Sequence, residues 1–146
     1  FKLVVERYAE NSAKRLKQVK AAESPLNALY RFFETALTVP NEQRYMRQCL
    51  LVKSIAELDI IGDVAKKAVL DSMQTLKAGF SDIIEACIEN GELPAHTPTT
   101  LAADGLQNQF VGLRAFALMQ DENKATIQMI DKVMIDLKGQ WPQKTR

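Results

Sequence analysis

The stretch DVAKKAVLDSMQTLKAGFSDIIEACIENG, residues 63–91, decides the fold of this chain. Apolar side chains recur in it at intervals of three and four residues, which is typical of one face of an α-helix. This face comprises Val64, Ala68, Leu76, Phe80, Ile83, Ile84 and Cys87. Gly91 follows at the position where a left-handed helix cap is expected. The pattern predicts one helix over about 63–90, roughly 40 Å long, which is the length of a whole domain.

Helical spacing continues upstream of this segment. Residues 1–20 predict a first helix, and Ser24-Pro25 begins a second, since serine suits the N-cap and proline the first helical position. We expect the second helix to end at Pro40-Asn41. A third helix over about 45–58 is apolar on several sides, which indicates burial.

Two further helices are predicted downstream. Thr97-Pro98 begins one that continues to about Gln120, and Asp121 caps the last one, which ends before Gly139. Sustained alternation of apolar and polar residues, the sign of a half-buried strand, does not occur in the sequence. The fold class is therefore all-α, an antiparallel bundle of about six helices.

Composition and charge are those of a soluble single domain. The chain has 146 residues, of which 47% are hydrophobic and 25% charged, and its net charge is +1. No apolar run approaches the roughly 20 residues that span a bilayer. Residues 1–20 hold six basic and two acidic side chains, whereas 81–104 hold five acidic and no basic ones. Two readings stay open: ordinary solvated faces, or a first helix that lies nearest a polyanion.

The sequence offers little for catalysis or for binding a metal. His96 is the only histidine, and with Cys49 and Cys87 it has no metal-ligand spacing. Glycine-rich phosphate loops are absent. We therefore predict no enzyme, no metal and no cofactor, with a serine–histidine–aspartate set around His96 as the least favoured alternative. Both cysteines are expected to be free thiols in a reducing cytoplasm.

Cys49 has two interpretations. It lies near the start of the third predicted helix, where unpaired N–H groups and the neighbouring Arg44 and Arg47 can lower a thiol pKa. A sensor of electrophiles or oxidants is one interpretation. The other is a small buried apolar residue.

Several segments resemble the C-terminal domain of bacterial TetR-type transcriptional regulators. Residues 47–58, RQCLLVKSIAEL, resemble the family pattern G-C-L-L-V-N-S-A-x-E-L, and FKLVVERYAE at 1–10 is similar to the helix after the DNA-binding head. NGEL at 90–93 resembles the turn that ends the long central helix. Gly105-Leu106 and GLRAFA at 112–117 resemble the helix that follows. The matches occur in family order and cover nearly the whole chain.

The chain departs from the family pattern at three positions. Gln48 stands where glycine is usual, Lys53 where asparagine is common, and Ile55 where alanine is common. The resemblance implies that residues 1–146 form the ligand-binding and dimerisation domain. A helix-turn-helix domain is expected upstream, because the chain begins at Phe1 inside a helix.

The resemblance also implies a homodimer. The last two helices, about 98–120 and 122–138, would pair with their copies as a four-helix bundle. Small and apolar residues are expected at this interface: Gly105, Gly112, Phe116, Met129, Val133 and Met134. The alternative is that these residues pack only the core of the monomer.

A small hydrophobic or aromatic inducer is the ligand that the resemblance implies. Its expected contacts are Tyr30, Phe33, Met46, Cys49, Leu50, Phe80, Ile84, Asn108, Phe110 and Leu113, with Tyr30, Asn108 and Gln109 as polar groups. For any one of these residues, core packing is the competing interpretation. The implied function is a repressor whose ligand changes the spacing of two DNA-binding heads. The alternative is a helical protein-interaction module without a small-molecule ligand.

Overall fold

The computed structural model describes residues 1–38, 50–139 and 141–142, with the side chains of 50–52 left out. These residues form six helices and no strand, which confirms the all-α prediction. The helices are α1 (Lys2–Lys20), α2 (Pro25–Leu37), α3 (Leu50–Ile55), α4 (Asp63–Glu89), α5 (Thr99–Leu118) and α6 (Lys124–Leu137).

Two of the predicted helix ends are confirmed in atomic detail. The Ser24 hydroxyl accepts a hydrogen bond from the Asn27 amide at 3.2 Å, and Pro25 is the first residue of α2. At the end of α4, Gly91 has φ +76°. The amide that follows it, that of Glu92, donates to the Cys87 carbonyl at 2.9 Å. This is the Schellman closure that glycine permits, because it has no Cβ.

Other boundaries differ from the prediction. The Thr97 hydroxyl donates to the Pro94 carbonyl at 2.7 Å and closes a loop turn, so it does not cap α5. Pro98 takes the N-cap position, and α5 begins at Thr99. The last helix begins at Lys124, three residues after Asp121. The predicted end of α2 at Pro40-Asn41 lies outside the described residues.

Helix α4 is the centre of the bundle and packs most extensively against α1 and α5. Its contact with α1 is close at Gly79, where a Cβ would lie 2.6 Å from Leu16 Cδ1. The main core takes buried residues from α1, α2, α4, α5 and α6. A smaller cluster, around Val5 and Val69, lies between α1, α3 and α4. Val64, predicted on the buried face of α4, is exposed because it lies in the first turn.

The Glu92 carboxylate ties the end of α4 to the start of α2. It accepts hydrogen bonds from the Ser24 hydroxyl at 2.5 Å, the Leu26 amide at 3.3 Å and Asn90 Nδ2 at 3.2 Å. An anion at a helix N-terminus is also stabilised by the unpaired amides there. Partial burial works to raise the pKa of Glu92. The hydrogen bonds and the positive charge of Lys138 outweigh burial and hold this pKa below its ordinary value.

Glu92→Gln is expected to lower the free energy of unfolding by about 1 kcal/mol at pH 7, because a neutral amide accepts these hydrogen bonds more weakly. A lowered folded pKa stabilises the native state above the unfolded pKa, near ~4.3. This contribution is lost as the pH falls through the folded pKa. Urea denaturation between pH 7 and pH 3 should therefore show the two proteins converging in acid. Glu89→Gln, at an exposed position on α4, is the matched control and should change stability little. A difference that stays constant with pH would contradict this role of Glu92.

The basic and acidic stretches of the sequence lie at the same end of the domain. Leu16 of α1 lies beside Gly79 of α4, so the basic second half of α1 runs alongside the acidic end of α4. Asn90 Nδ2 donates to the Glu23 carbonyl at 3.3 Å, which joins the two ends. The arrangement favours the interpretation of these stretches as solvated faces.

Candidate functional site

Four phenylalanine rings meet at the centre of the main core. Phe32 and Phe33 come from α2, Phe80 from α4 and Phe110 from α5. All six pairs of rings have centroids between 5.4 and 6.3 Å apart, within the range of favourable aromatic contact. We call these four residues the phenylalanine cluster. It joins three helices that are distant in sequence.

Five of the predicted ligand contacts lie together in this core. Phe33, Phe80 and Phe110 belong to the phenylalanine cluster, and Ile84 and Leu113 are buried in the same core. Phe32, which supplies the fourth ring, was not predicted as a contact. The ring contacts fill the space between α2, α4 and α5 with side chains. The interior between these three helices is therefore a close-packed core.

The predicted polar contacts lie at the edge of this core or on the surface. Tyr30 packs against the main core. Burial, a hydrogen bond with Asp131 of α6 and the charges of Asp131 and Glu34 raise the pKa of Tyr30 above its ordinary 10.0. Asn108 is exposed on α5. The side chain of Gln109 lines a surface groove between α5 and α6.

Three other predicted contacts lie wholly or partly outside the described residues. Met46 and Cys49 lie outside the described residues, so their place in a pocket, and the reactivity of Cys49, stay predictions. Leu50 is the first residue of α3, and its side chain is likewise not described. Cys87 is free and fully buried. Burial, followed by the charge of Glu92, raises the pKa of Cys87 to about 12. Cys87 is therefore a neutral core thiol.

A partly buried polar pair next to the phenylalanine cluster was not predicted from the sequence. Arg114 of α5 is only 9% exposed, and its Nη2 donates to the Tyr8 hydroxyl of α1 at 3.4 Å. The guanidinium carbon lies 5.7 Å from the centre of the Phe110 ring. We call these residues the Tyr8–Arg114 pair. The sequence contains one indication that Arg114 is buried: it follows Phe110, on the apolar face of α5, by about one helical turn.

The Tyr8–Arg114 pair lies where the two apolar clusters meet. Tyr8 packs against the smaller cluster, whereas Arg114 lies over a ring of the main core. Met73 contacts both clusters, and its carbonyl accepts a hydrogen bond from Gln107 Nε2 at 2.7 Å. This junction combines aromatic, thioether, hydroxyl and guanidinium groups. Groups of these kinds are common in sites that bind an apolar molecule with a polar group.

The outward side of α5 forms a regular stripe. Its members follow each other at intervals of four and three residues and end at the C-cap, Met119: Leu101, Gly105, Asn108, Gly112, Ala115 and Met119. We call these residues the α5 stripe. Leu101 is 43% exposed and Met119 72%. A Cβ added at Gly105 or Gly112 would meet no atom within 4 Å.

The α5 stripe contains no charged residue. The two charged residues of α5 point elsewhere: Asp104 forms an ion pair with Lys77 of α4 at 3.2 Å, and Arg114 is buried. Exposed faces of globular proteins usually carry charges, and interface centres are depleted of them. Alternating intervals of four and three residues are typical of the contact face between two helices that pack side by side.

The predicted interface residues are distributed between this face and the core. Gly105 and Gly112 belong to the α5 stripe. Phe116, Met129 and Met134 are half-buried at the edge of the main core, and Val133 is buried within it. The interface itself stays a prediction.

A groove of about 440 Å³ lies between α5 and α6, next to the stripe. It is lined mainly by apolar residues, and we call it the α5/α6 groove. Ile135, which is 68% exposed, lies on its α6 side. Gly105 and Leu106 lie on its α5 side, and Trp141 and Pro142 lie along it after the end of α6.

The family model described as "Tetracyclin repressor-like, C-terminal domain" matches residues 25–133 of the chain. The chain belongs to this family. No curated protein and no solved structure matched it.

The match covers the part of this TetR-like domain that holds the phenylalanine cluster and the α5 stripe. It begins at Pro25, the first residue of α2, and ends at Val133 within α6. Helix α1 and Trp141 lie outside it. Tyr8 and Trp141 therefore lie in segments of the chain that the family match does not include.

The start of α1 carries an apolar patch. Phe1, Leu3 and Val4 are exposed there, and Ile60 and Val64 are exposed before and at the start of α4. Lys2 and Val64 line the same cleft, so the two groups lie at one end of the TetR-like domain. We call these five residues the N-terminal patch.

The part of the chain that the structure describes offers neither a metal site nor a membrane-spanning helix. No group of histidine, cysteine, aspartate and glutamate side chains in this part of the TetR-like domain could hold a metal ion. None of its described helices combines the length and the apolar character needed to cross a membrane.

Proposed function

We propose that this TetR-like domain is the ligand-binding and dimer-forming core of a cytoplasmic transcriptional repressor. Operator DNA would be reached through a helix-turn-helix domain that precedes Phe1. The observation that carries the proposal is the family match over residues 25–133. Fold alone does not assign function. Each part of the proposal is therefore supported by a structural feature of its own.

The N-terminal patch supports an upstream domain. Five exposed apolar residues at one end of the domain, including Leu3 and Ile60, leave a surface that another folded unit would cover. A DNA-binding domain joined to Phe1 would lie against this surface. Helix α1 would then run from the DNA-binding domain into the body of the ligand-binding domain.

The α5 stripe supports a homodimer. A two-fold interface uses the same face from both copies, so that face must be complementary to itself. The α5 stripe is uncharged, and Gly105 and Gly112 allow close approach of two backbones. Four helices, α5 and α6 from each copy, would form the interface.

The junction at the Tyr8–Arg114 pair supports the ligand site. A small hydrophobic or aromatic molecule would lie beside Met73 and Phe110, with its polar group toward Arg114. The predicted contacts Met46, Cys49 and Leu50 would line the site from the third helix. The phenylalanine cluster would form its packed floor.

The proposed mechanism is a shift between two dimer conformations. Two DNA-binding heads must match half-sites about one helical turn, ~34 Å, apart. A ligand that binds better to a differently spaced dimer draws the population away from DNA. The hydrogen bond between Arg114 and Tyr8 links α5, at the dimer face, to α1, which leads to the head. A ligand at this junction would therefore act on both α5 and α1.

The packed interior favours a second candidate, a protein-interaction module without a small ligand. The phenylalanine cluster fills the centre of the core with rings in mutual contact. Such a domain would keep the dimer face but would bind no inducer. Ligand-induced stabilisation distinguishes the two functions.

A thermal-shift screen with neutral, acidic and basic aromatic compounds tests the ligand. A binder at one hundred times its Kd should stabilise the native state by about 2.7 kcal/mol. This raises Tm by several degrees. Arg114→Met should weaken the stabilisation, whereas Arg7→Met, at an exposed position on α1, should not. If no compound raises Tm, or if both variants respond as the parent protein does, the proposed ligand site is wrong.

A further inference from the structure

We propose that a recess between α1 and α2 binds a small phosphate anion through the side chains of Arg15 and Arg31. The recess has a volume of about 240 Å³, and we call it the α1/α2 recess. Its polar lining comes from Arg15 and Gln18 of α1 and from Arg31 and Thr35 of α2. The recess shares no polar residue with the proposed ligand site or with the α5 stripe, so the inference does not rest on the proposed function.

Arg15 is held in place by an aromatic ring. Its guanidinium carbon lies 5.0 Å from the centre of the Phe32 ring, which is a cation–π distance. Phe32 is itself only 6% exposed and stacks on Phe110 with 5.8 Å between the ring centres. The N–H donors of a guanidinium lie in its plane, so contact with a ring leaves donors for an acceptor. An arginine positioned in this way loses little conformational freedom when an anion binds.

The α1/α2 recess is positively charged, and none of its described lining residues is acidic. Arginine stays protonated throughout the physiological pH range. Neither Arg15 nor Arg31 forms an ion pair within the part of the chain that the structure describes. Glu34 is the only acidic residue of α2, and it does not line the recess. Two like charges on one small surface repel each other, and an anion that contacts both offsets this repulsion.

Size and charge indicate a phosphate group. Sites for drug-sized ligands have volumes of about 300–1,000 Å³, so this recess fits a smaller molecule. A phosphate monoester carries about −1.5 to −2 charges at pH 7, which two guanidinium groups can neutralise. Its oxygens also accept paired hydrogen bonds from arginine, and Gln18 and Thr35 add neutral donors. Inorganic phosphate and a small phosphate monoester share this chemistry.

An extended polyanion such as DNA fits this surface less well. Helix α4 runs beside the second half of α1 and carries the exposed acidic residues Asp82, Glu85 and Glu89 toward its end. A duplex has a phosphate about every 1.7 Å along its axis, so it would bring many charges near these carboxylates. A single phosphate group reaches the recess without this repulsion.

Isothermal titration calorimetry with inorganic phosphate and with methyl phosphate tests the inference, at an ionic strength held constant with chloride. At least one of the two should bind saturably at one site. Arg15→Gln and Arg31→Gln should each raise its Kd about tenfold, since each removes charge-assisted hydrogen bonds. Arg15→Lys keeps the charge but not the planar fork, and should also raise Kd. Arg7→Gln, at an exposed position on α1 outside the recess, is the matched control and should leave Kd unchanged.

The outcomes separate a specific site from general attraction between charges. Tighter binding of methyl phosphate indicates an organic phosphate as the occupant, and tighter binding of inorganic phosphate indicates the free ion. The inference is overturned if neither compound binds, if Arg7→Gln weakens binding as much as Arg15→Gln does, or if Arg15→Lys binds as the parent chain does. A short DNA duplex that displaces phosphate at a lower phosphate concentration also overturns it.

Arg114→Met distinguishes this site from the proposed ligand site. Arg114 does not line the recess, so this variant should bind phosphate as the parent chain does. Loss of phosphate binding in Arg114→Met would move the anion to the Tyr8–Arg114 pair and overturn the inference. A failed screen with aromatic compounds, in contrast, overturns the proposed ligand site and leaves the α1/α2 recess unaffected. Far-ultraviolet circular dichroism of each variant separates a loss of binding from a loss of folding.

Discussion

Phe33→Ala should lower the free energy of unfolding by about 3–5 kcal/mol, the largest stability effect that we expect of any single truncation in this chain. Phe33 is fully buried, and its ring contacts Phe32, Phe80 and Phe110 at centroid distances of 6.3, 6.0 and 5.4 Å. The truncation removes apolar burial and leaves a cavity that three rigid rings from three helices cannot easily fill. Native domains have only about 5–15 kcal/mol of stability, so the loss is a large fraction of the total.

Urea denaturation followed by circular dichroism, at one fixed protein concentration, measures this effect. Phe1→Ala is the matched control, since Phe1 is exposed, and it should change stability by no more than about 0.5 kcal/mol. Phe33→Leu keeps most of the apolar volume and provides a measurable intermediate if the alanine variant does not fold. Equal effects at positions 1 and 33 would mean that the phenylalanine cluster does not stabilise the core.

Gly112→Arg should convert the proposed dimer into a folded monomer. In the monomer a Cβ at position 112 meets no atom within 4 Å, so the new side chain has room. Arginine is also a better helix former than glycine by roughly 0.5–1 kcal/mol, so α5 should become more stable. Across the proposed interface, the same side chain would bring a charge and a large volume between two closely packed helices. The thermal stability of the monomer should therefore rise, while the affinity between two copies falls.

Sedimentation equilibrium measures the assembly of Gly112→Arg, and thermal unfolding measures its stability. The control, Gln74→Arg, adds the same side chain at an exposed position on α4, away from the α5 stripe. It should remain dimeric. If Gly112→Arg dimerises as tightly as the parent chain, the α5 stripe is not the seam between the two copies.

The surroundings of the predicted ligand contacts could be derived only in part from the sequence. Helical spacing correctly indicated that Phe33, Phe80 and Phe110 are inward-facing, and these residues do meet. The same spacing could not predict which groups surround the polar residues. It shows which residues share one face of a helix, but not which helix packs against that face. Tyr30 consequently lies against Asp131 of α6, and Asn108 on the exposed stripe.

Local sequence alone determined the helices of this protein and several of their ends. Ser24-Pro25 and Gly91 act within one or two turns of the chain, through capping hydrogen bonds and backbone dihedral angles. Only the tertiary structure decided the partners of Glu92 and Arg114, which lie 68 and 106 residues away in sequence at Ser24 and Tyr8. The physical reason is the range of the interactions. Capping and periodicity depend on near neighbours, whereas a buried polar contact depends on how α1, α2, α4 and α5 pack together.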